Sequence, residues 1–186
     1  MATQIQIFNR TLYLLKQRRV ANPVNSVELT DVYDSIRDEV LEARPWNFAK
    51  AWASLAKDTA NTSWQYAYSY TLPADPWCLA VQQIEDTKAK FEVGAGRKLY
   101  TDEGPPLKIA YTARITDESR FSGPFTAALV LRLALETGPQ IADISSARFA
   151  ALENRYYRVL QNAATRDGQE GNHLEYEDSD YLEARI

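Results

Sequence analysis

Apolar residues recur at helical spacing near both ends of the chain and alternate with polar ones in its middle. Ile5, Phe8, Leu12 and Leu15 stand at i, i+3, i+7 and i+10, which is one face of an amphipathic helix over residues 3–19. Lys16, Arg18 and Arg19 would then complement the dipole in its last turn. Asn22-Pro23 interrupts the pattern, because proline disfavours an α conformation in the residue before it. Asn25 followed by Glu28 reads as a capping-box variant that opens a second helix to about Arg44. Val32, Ile36 and Val40 form its stripe, Leu29 and Tyr33 flank it, and Pro45 ends it.

From Trp46 to Arg114 the period changes from near four to two. Tyr66, Tyr68 and Tyr70 alternate with Ala67 and Ser69, an aromatic-rich signal of a half-buried strand. Further strands are expected at 47–56, 77–85, 89–93, 97–101 and 107–113. Pro73, Asp75-Pro76, Gly94, Gly96, Gly104 and Pro105-Pro106 mark the turns between them. The alanines of 47–56 would also suit a helix. The block as a whole reads as a small antiparallel β-sheet.

Helical spacing returns at Ser122-Gly123-Pro124, a start signal with proline in the first turn. Phe125, Leu129 and Leu133 make one stripe, and Val130, Leu131 and Leu135 fill the other sides. A helix apolar all round must be covered all round, so a second copy of the chain is expected to cover part of it. Gly138-Pro139 is expected to stop it. Ser145 or Ser146 then caps a last helix to about Arg166, with Phe149, Leu152, Tyr156, Val159 and Ala163 inward. Arg148, Arg155, Arg158 and Arg166 fall on its outer face. The fold class expected is α+β. Residues 1–166 form a single domain, with helices at 3–44 and 122–166 and an inserted antiparallel β block at 46–114. An acidic C-terminal tail follows at 167–186.

Length and charge sharpen this layout. The 186 residues suit one domain with a real core. The net charge of −4 conceals an asymmetry. From Asp167 onward seven acids face one base, Arg185, a net of −6, whereas residues 1–166 carry 20 bases and 18 acids, a net of +2. An acidic run is usually a solvated terminus, but Leu174, Tyr176, Tyr181, Leu182 and Ile186 give this one apolar anchors. Leu174, Tyr176, Asp178, Asp180, Tyr181, Leu182 and Arg185 are therefore the candidate partner-binding residues.

Catalytic chemistry finds little material. The single cysteine, Cys78, forms no internal disulfide and fits a reducing compartment or indifference to redox; beside Trp77 in a strand it reads as a core residue. The single histidine, His173, falls in the tail. Gly94-Ala95-Gly96-Arg97 lacks the Lys-Ser/Thr of a phosphate-binding loop and reads as a hairpin turn. Glu175–Asp180 lacks the spacing and central glycine of an EF-hand. No metal or cofactor is expected, and the chain is expected not to be an enzyme; no carboxylate pair stands out for a glycosidase. No apolar run reaches the length of a bilayer span and no secretory signal is evident, so no membrane partner is expected. The tyrosine-rich strand could stack bases in a nucleic-acid-binding accessory protein. Residues 60–80 carry no Lys or Arg, however, which favours a core face or a protein–protein surface.

Several strings in order carry a resemblance. They are Leu41-Glu-Ala-Arg-Pro-Trp-Asn-Phe-Ala49, Trp64-Gln-Tyr-Ala-Tyr68, Tyr70-Thr-Leu-Pro-Ala-Asp75 and Leu99-Tyr100. Ile109-Ala-Tyr111 with Thr116-Asp117, Phe125 leading into Leu131-Arg-Leu-Ala134, and Asp178-Ser-Asp-Tyr-Leu-Glu-Ala-Arg185 continue the set. Together, over about residues 3–166 and the C-terminus, they resemble the head-to-tail adaptors of tailed bacteriophages, the tail tubular protein A or gatekeeper group. The resemblance implies a virion structural protein at the head–tail junction, assembled in the host cytoplasm. It implies a homo-oligomer ring, of twelve subunits in this group, between the portal protein and the tail nozzle protein and tail fibres. DNA would pass through the channel of the ring without sequence-specific binding. It also implies a helical bundle with an inserted β domain, a C-terminal segment that reaches the portal, and a helix-to-β hinge at Arg44–Phe48. A head-completion adaptor of a long-tailed phage fits the same strings.

Overall fold

The computed structural model describes residues 2–61, 63–142 and 144–170, with side chains to residue 165. The chain is a mixed α+β protein. Its order is α1 (Gln4–Leu14), α2 (Val27–Glu42), β1 (Lys50–Leu55), β2 (Tyr68–Thr71), β3 (Cys78–Ile84), β4 (Phe91–Gly94), β5 (Lys98–Thr101), β6 (Leu107–Ala113), α3 (Gly123–Ile141) and α4 (Ser146–Glu170). All six expected strands are present within a few residues of their sequence signals. They form two three-stranded antiparallel sheets, β1-β6-β3 and β2-β5-β4, where the alternation alone suggested one. The chain beyond β1 ties the two together. Asp58 accepts hydrogen bonds from Lys98 Nζ at 2.8 Å, Thr71 Oγ1 at 2.8 Å and Ser69 Oγ at 3.1 Å. Burial pushes the Asp58 carboxyl up, but these donors outweigh it and hold it below its ordinary value.

Helix boundaries follow caps more closely than periodicity. Thr3 and Gln6 close a reciprocal capping box at the start of α1. α1 then stops at Leu14, five residues short of the expected end. Lys16 adopts φ +58°, its amide donates to the Tyr13 carbonyl at 3.1 Å, and the Gln17 amide donates to Leu12 at 2.8 Å. This is a Schellman reversal with a lysine where glycine is usual. Lys16, Arg18 and Arg19 consequently lie beyond the helix and do not face its dipole within the last turn. The Asn25/Glu28 capping box is also absent. Asn22 caps a short 3₁₀ turn at Pro23–Asn25, and Ser26 precedes α2 without a side-chain cap bond.

α3 is the element on which α1, α2 and α4 all pack. Ser122 Oγ accepts from the Phe125 amide at its start, as the sequence indicates. Gly138-Pro139 does not end it, and the helix continues to Ile141 with Pro139 inside. Gly138 serves packing instead: a β-carbon there would sit 2.3 Å from Ile144 Cδ1 and 3.3 Å from Leu15 Cδ2. Phe125, Val130, Leu131 and Leu135 are all buried by the chain's own elements. The all-round apolar helix therefore gives no reason for a second copy, contrary to expectation. Arg148, expected to face outward on α4, is half-buried and donates to the Leu14 carbonyl at 2.6 Å.

Helices and strands meet over an aromatic cluster. Trp46 is buried, donates Nε1–H to the Val40 carbonyl at 2.8 Å, and stands edge-on to Phe125 at 5.2 Å. Phe48 and Phe121 complete it, each packed on Phe125. The Arg44–Phe48 string is thus the connection between α2 and β1, fastened at its tryptophan.

Candidate interaction surfaces

The candidate partner-binding residues Leu174, Tyr176, Asp178, Asp180, Tyr181, Leu182 and Arg185, like the whole acidic run after Glu170, lie outside the described residues. On the described body three surfaces stand out.

The first is a groove of about 710 Å³ between α1 and the start of α3, floored by Ile7 and Phe121 and rimmed by Arg10, Tyr13, Arg19 and Thr126. The Lys16 reversal turns the chain back along α1. Asn9 then holds it there, accepting from the Val20 amide at 2.8 Å and donating Nδ2–H to the Val20 carbonyl at 3.0 Å. Arg19 is thereby brought to the same groove as Arg10. Residues 1–27 contain four bases and no acid, a sequence signal that the charge division at residue 166 concealed.

The second surface is the outer face of the β1-β6-β3 sheet. Ala51, Ala53 and Leu55 turn inward, so the pleat turns Trp52 outward, 72% exposed, with Lys50 Nζ 5.5 Å from its ring centre. The ring borders a hollow of about 350 Å³ with Gln83, Ile84 and Ala110. Trp64, in the β1–β2 connection, is 95% exposed. The tyrosine-rich strand does not form such a platform. Tyr70 is fully buried and donates its hydroxyl to the Glu103 carbonyl at 2.7 Å, and Tyr66 and Tyr68 are half-buried.

The third is a cleft of about 550 Å³ between α2 and the strands. Asp38 lies between two guanidinium groups, Arg37 Nη2 at 2.9 Å and Arg114 Nε at 2.7 Å. Trp77 is covered by Arg97 at 3.5 Å and Arg114 at 5.2 Å from its ring centre. Burial, with the Asp38 charge beside it, raises the Glu42 carboxyl above its ordinary value, and Arg114 opposes this. Cys78, at the cleft's edge, is 4% exposed, and burial pushes its thiol up to about 11 against a weaker opposing effect of Arg97. A thiol held protonated in this way is a packing group, as its neighbourhood in the sequence suggests.

The Gly94–Arg97 run is the turn of the β4–β5 hairpin, with Gly96 at φ +69° and Arg97 at φ +60°. Among the described residues no three His, Cys, Asp or Glu side chains converge to hold a metal ion. No described helix is long and apolar enough to cross a membrane. No protein-family model and no curated protein sequence matches the chain.

Proposed function

We propose that this chain is a virion structural protein, a ring-forming head-to-tail adaptor that joins the portal to the tail nozzle and extends the DNA channel. In this reading the four helices are a bundle, the six strands are a domain inserted into it, and the acidic tail is an arm for the portal. The observation that carries the proposal is the element order. Two helices, six antiparallel strands and two helices follow one another, the layout that the resemblance implies. The exposed rings of Trp52 and Trp64 add surface of the kind that protein contacts bury. The work assigned to the chain is associative: lateral contacts close the ring, the strands meet the nozzle, and the arm engages the portal. The ring rests on the resemblance and these exposed rings, since α3 is covered within one chain.

Electron microscopy of the chain mixed with the portal protein of its virion tests the proposal. Rings seated on the portal are expected. A chain that remains apart from the portal at micromolar concentration would overturn it, whereas a monomer in isolation is compatible with assembly on a template.

A further inference from the structure

The basic groove and the acidic end of the chain are complementary, and they lie within reach of one another. Arg10, Lys16, Arg18 and Arg19 are all exposed, and none has a carboxylate within ion-pairing distance among the described residues. Five acidic side chains and five apolar anchors lie within residues 171–186. The groove offers the exposed ring of Tyr13 and the edge of Phe121 between the cations, and the segment offers tyrosines and leucines between its acids.

Connectivity supplies the reach. α1 runs parallel to α3, since Thr11 Oγ1 lies 3.4 Å from the Val130 carbonyl and Leu15 packs at Gly138. α4 starts beside Leu14 and packs back along α3. Its 25 residues rise about 37 Å, which carries its far end toward the start of α1 and α3, where the groove opens. The sixteen residues from Gly171 to Ile186 span up to about 55 Å when extended, enough to return to the groove.

We propose that, in the free chain, residues 171–186 dock into the α1/α3 groove of the same chain, with carboxylates on Arg10 and Arg19 and a tyrosine or leucine against Tyr13 and the edge of Phe121. The basic rim would be shielded until a competing partner takes the segment away. This concerns the free chain, and it holds or fails independently of the adaptor reading. The attraction is electrostatic at an exposed rim, so docking weakens steeply with salt.

Paramagnetic broadening on the full chain tests it. Ser179→Cys carries a nitroxide, and the labelling reaction run on the unsubstituted chain shows that buried Cys78 stays unmodified. Amides of residues 6–19 and 121–126 should lose at least half their intensity at 50 mM salt. They should recover at 0.5 M salt and in the R10E/R19E variant, whose substituted side chains are exposed and leave the core intact. Uniform or absent broadening would overturn the proposal, as would broadening insensitive to R10E/R19E. Mixing isotope-labelled chains with separate spin-labelled chains provides the remaining arm. Broadening that appears undiminished there would assign the groove to a second copy and overturn docking within one chain.

Discussion

Arg114, just past β6, and Asp38, in α2, form an ion pair at 2.7 Å that ties the first sheet to the helices. Asp38 has its other oxygen on Arg37, whose side chain is 6% exposed and whose second partner, Asp34, is largely in solvent. Removing Asp38 leaves a buried guanidinium poorly compensated, and that cost exceeds the value of either pair alone. Asp38→Ala should therefore destabilise the chain by about 2–3 kcal/mol, and Arg114→Met by about 1 kcal/mol. Urea unfolding of the two variants checks both the size and the order.

Lys16 occupies a left-handed conformation that an L side chain adopts at a cost of about 1 kcal/mol. Its side chain is exposed and its amide bonds belong to the backbone. Lys16→Gly should keep the Schellman reversal and raise stability by about 0.5–1 kcal/mol, read as a higher urea midpoint with an unchanged slope.

Cys78 gives a pH dependence with a definite sign. Its thiol titrates near 11 in the folded chain, against about 8.5 for a free thiol. Below the lower value both states are protonated and the residue contributes no slope. Between the two values the unfolded chain has released the proton and the folded one has not, so stability from this group falls as pH rises from about 8.5 to about 11. At pH 8 a thiol reagent should react with the native chain at the rate of unfolding, and at once in 8 M urea. Rapid reaction of the native chain would contradict the buried, protonated thiol.

Trp52 and Trp64 contribute little to the fold and are available to a partner. Trp64→Ala should change unfolding free energy by less than about 0.5 kcal/mol. Trp52→Ala loses only its packing with Lys50 and the Ala110 hollow. If these rings meet neighbouring subunits or the nozzle, at least one substitution should weaken assembly roughly tenfold or more, measured by sedimentation of the assembled complex.

Strand positions were legible because alternation and turn residues agree there. The run Tyr66–Tyr70 precedes a proline, and Gly96 supplies the positive φ that the β4–β5 hairpin needs. The division into two sheets was not legible, because it depends on the long-range partners of β5 and β6. Gly138-Pro139 misled for a physical reason. A glycine that ends a helix and a glycine that admits Ile144 and Leu15 look alike in sequence. Lys16 misled in the opposite direction, since a lysine at a helix-ending position carries no signal. The outward Trp52 follows from the inward Ala51, Ala53 and Leu55 of β1. The basic groove was legible only as an absence of acids before Glu28, and the lysine reversal that assembles it was not.

Mass photometry of the chain titrated against its portal protein tests the central claim most directly, with a chain ending at Glu170 as comparison. The adaptor account predicts a portal complex whose mass rises by a fixed multiple of 21.1 kDa and then saturates. The shortened chain should fold normally but bind the portal at least tenfold more weakly. A portal mass that never changes, with the chain at 21.1 kDa throughout, would contradict the account.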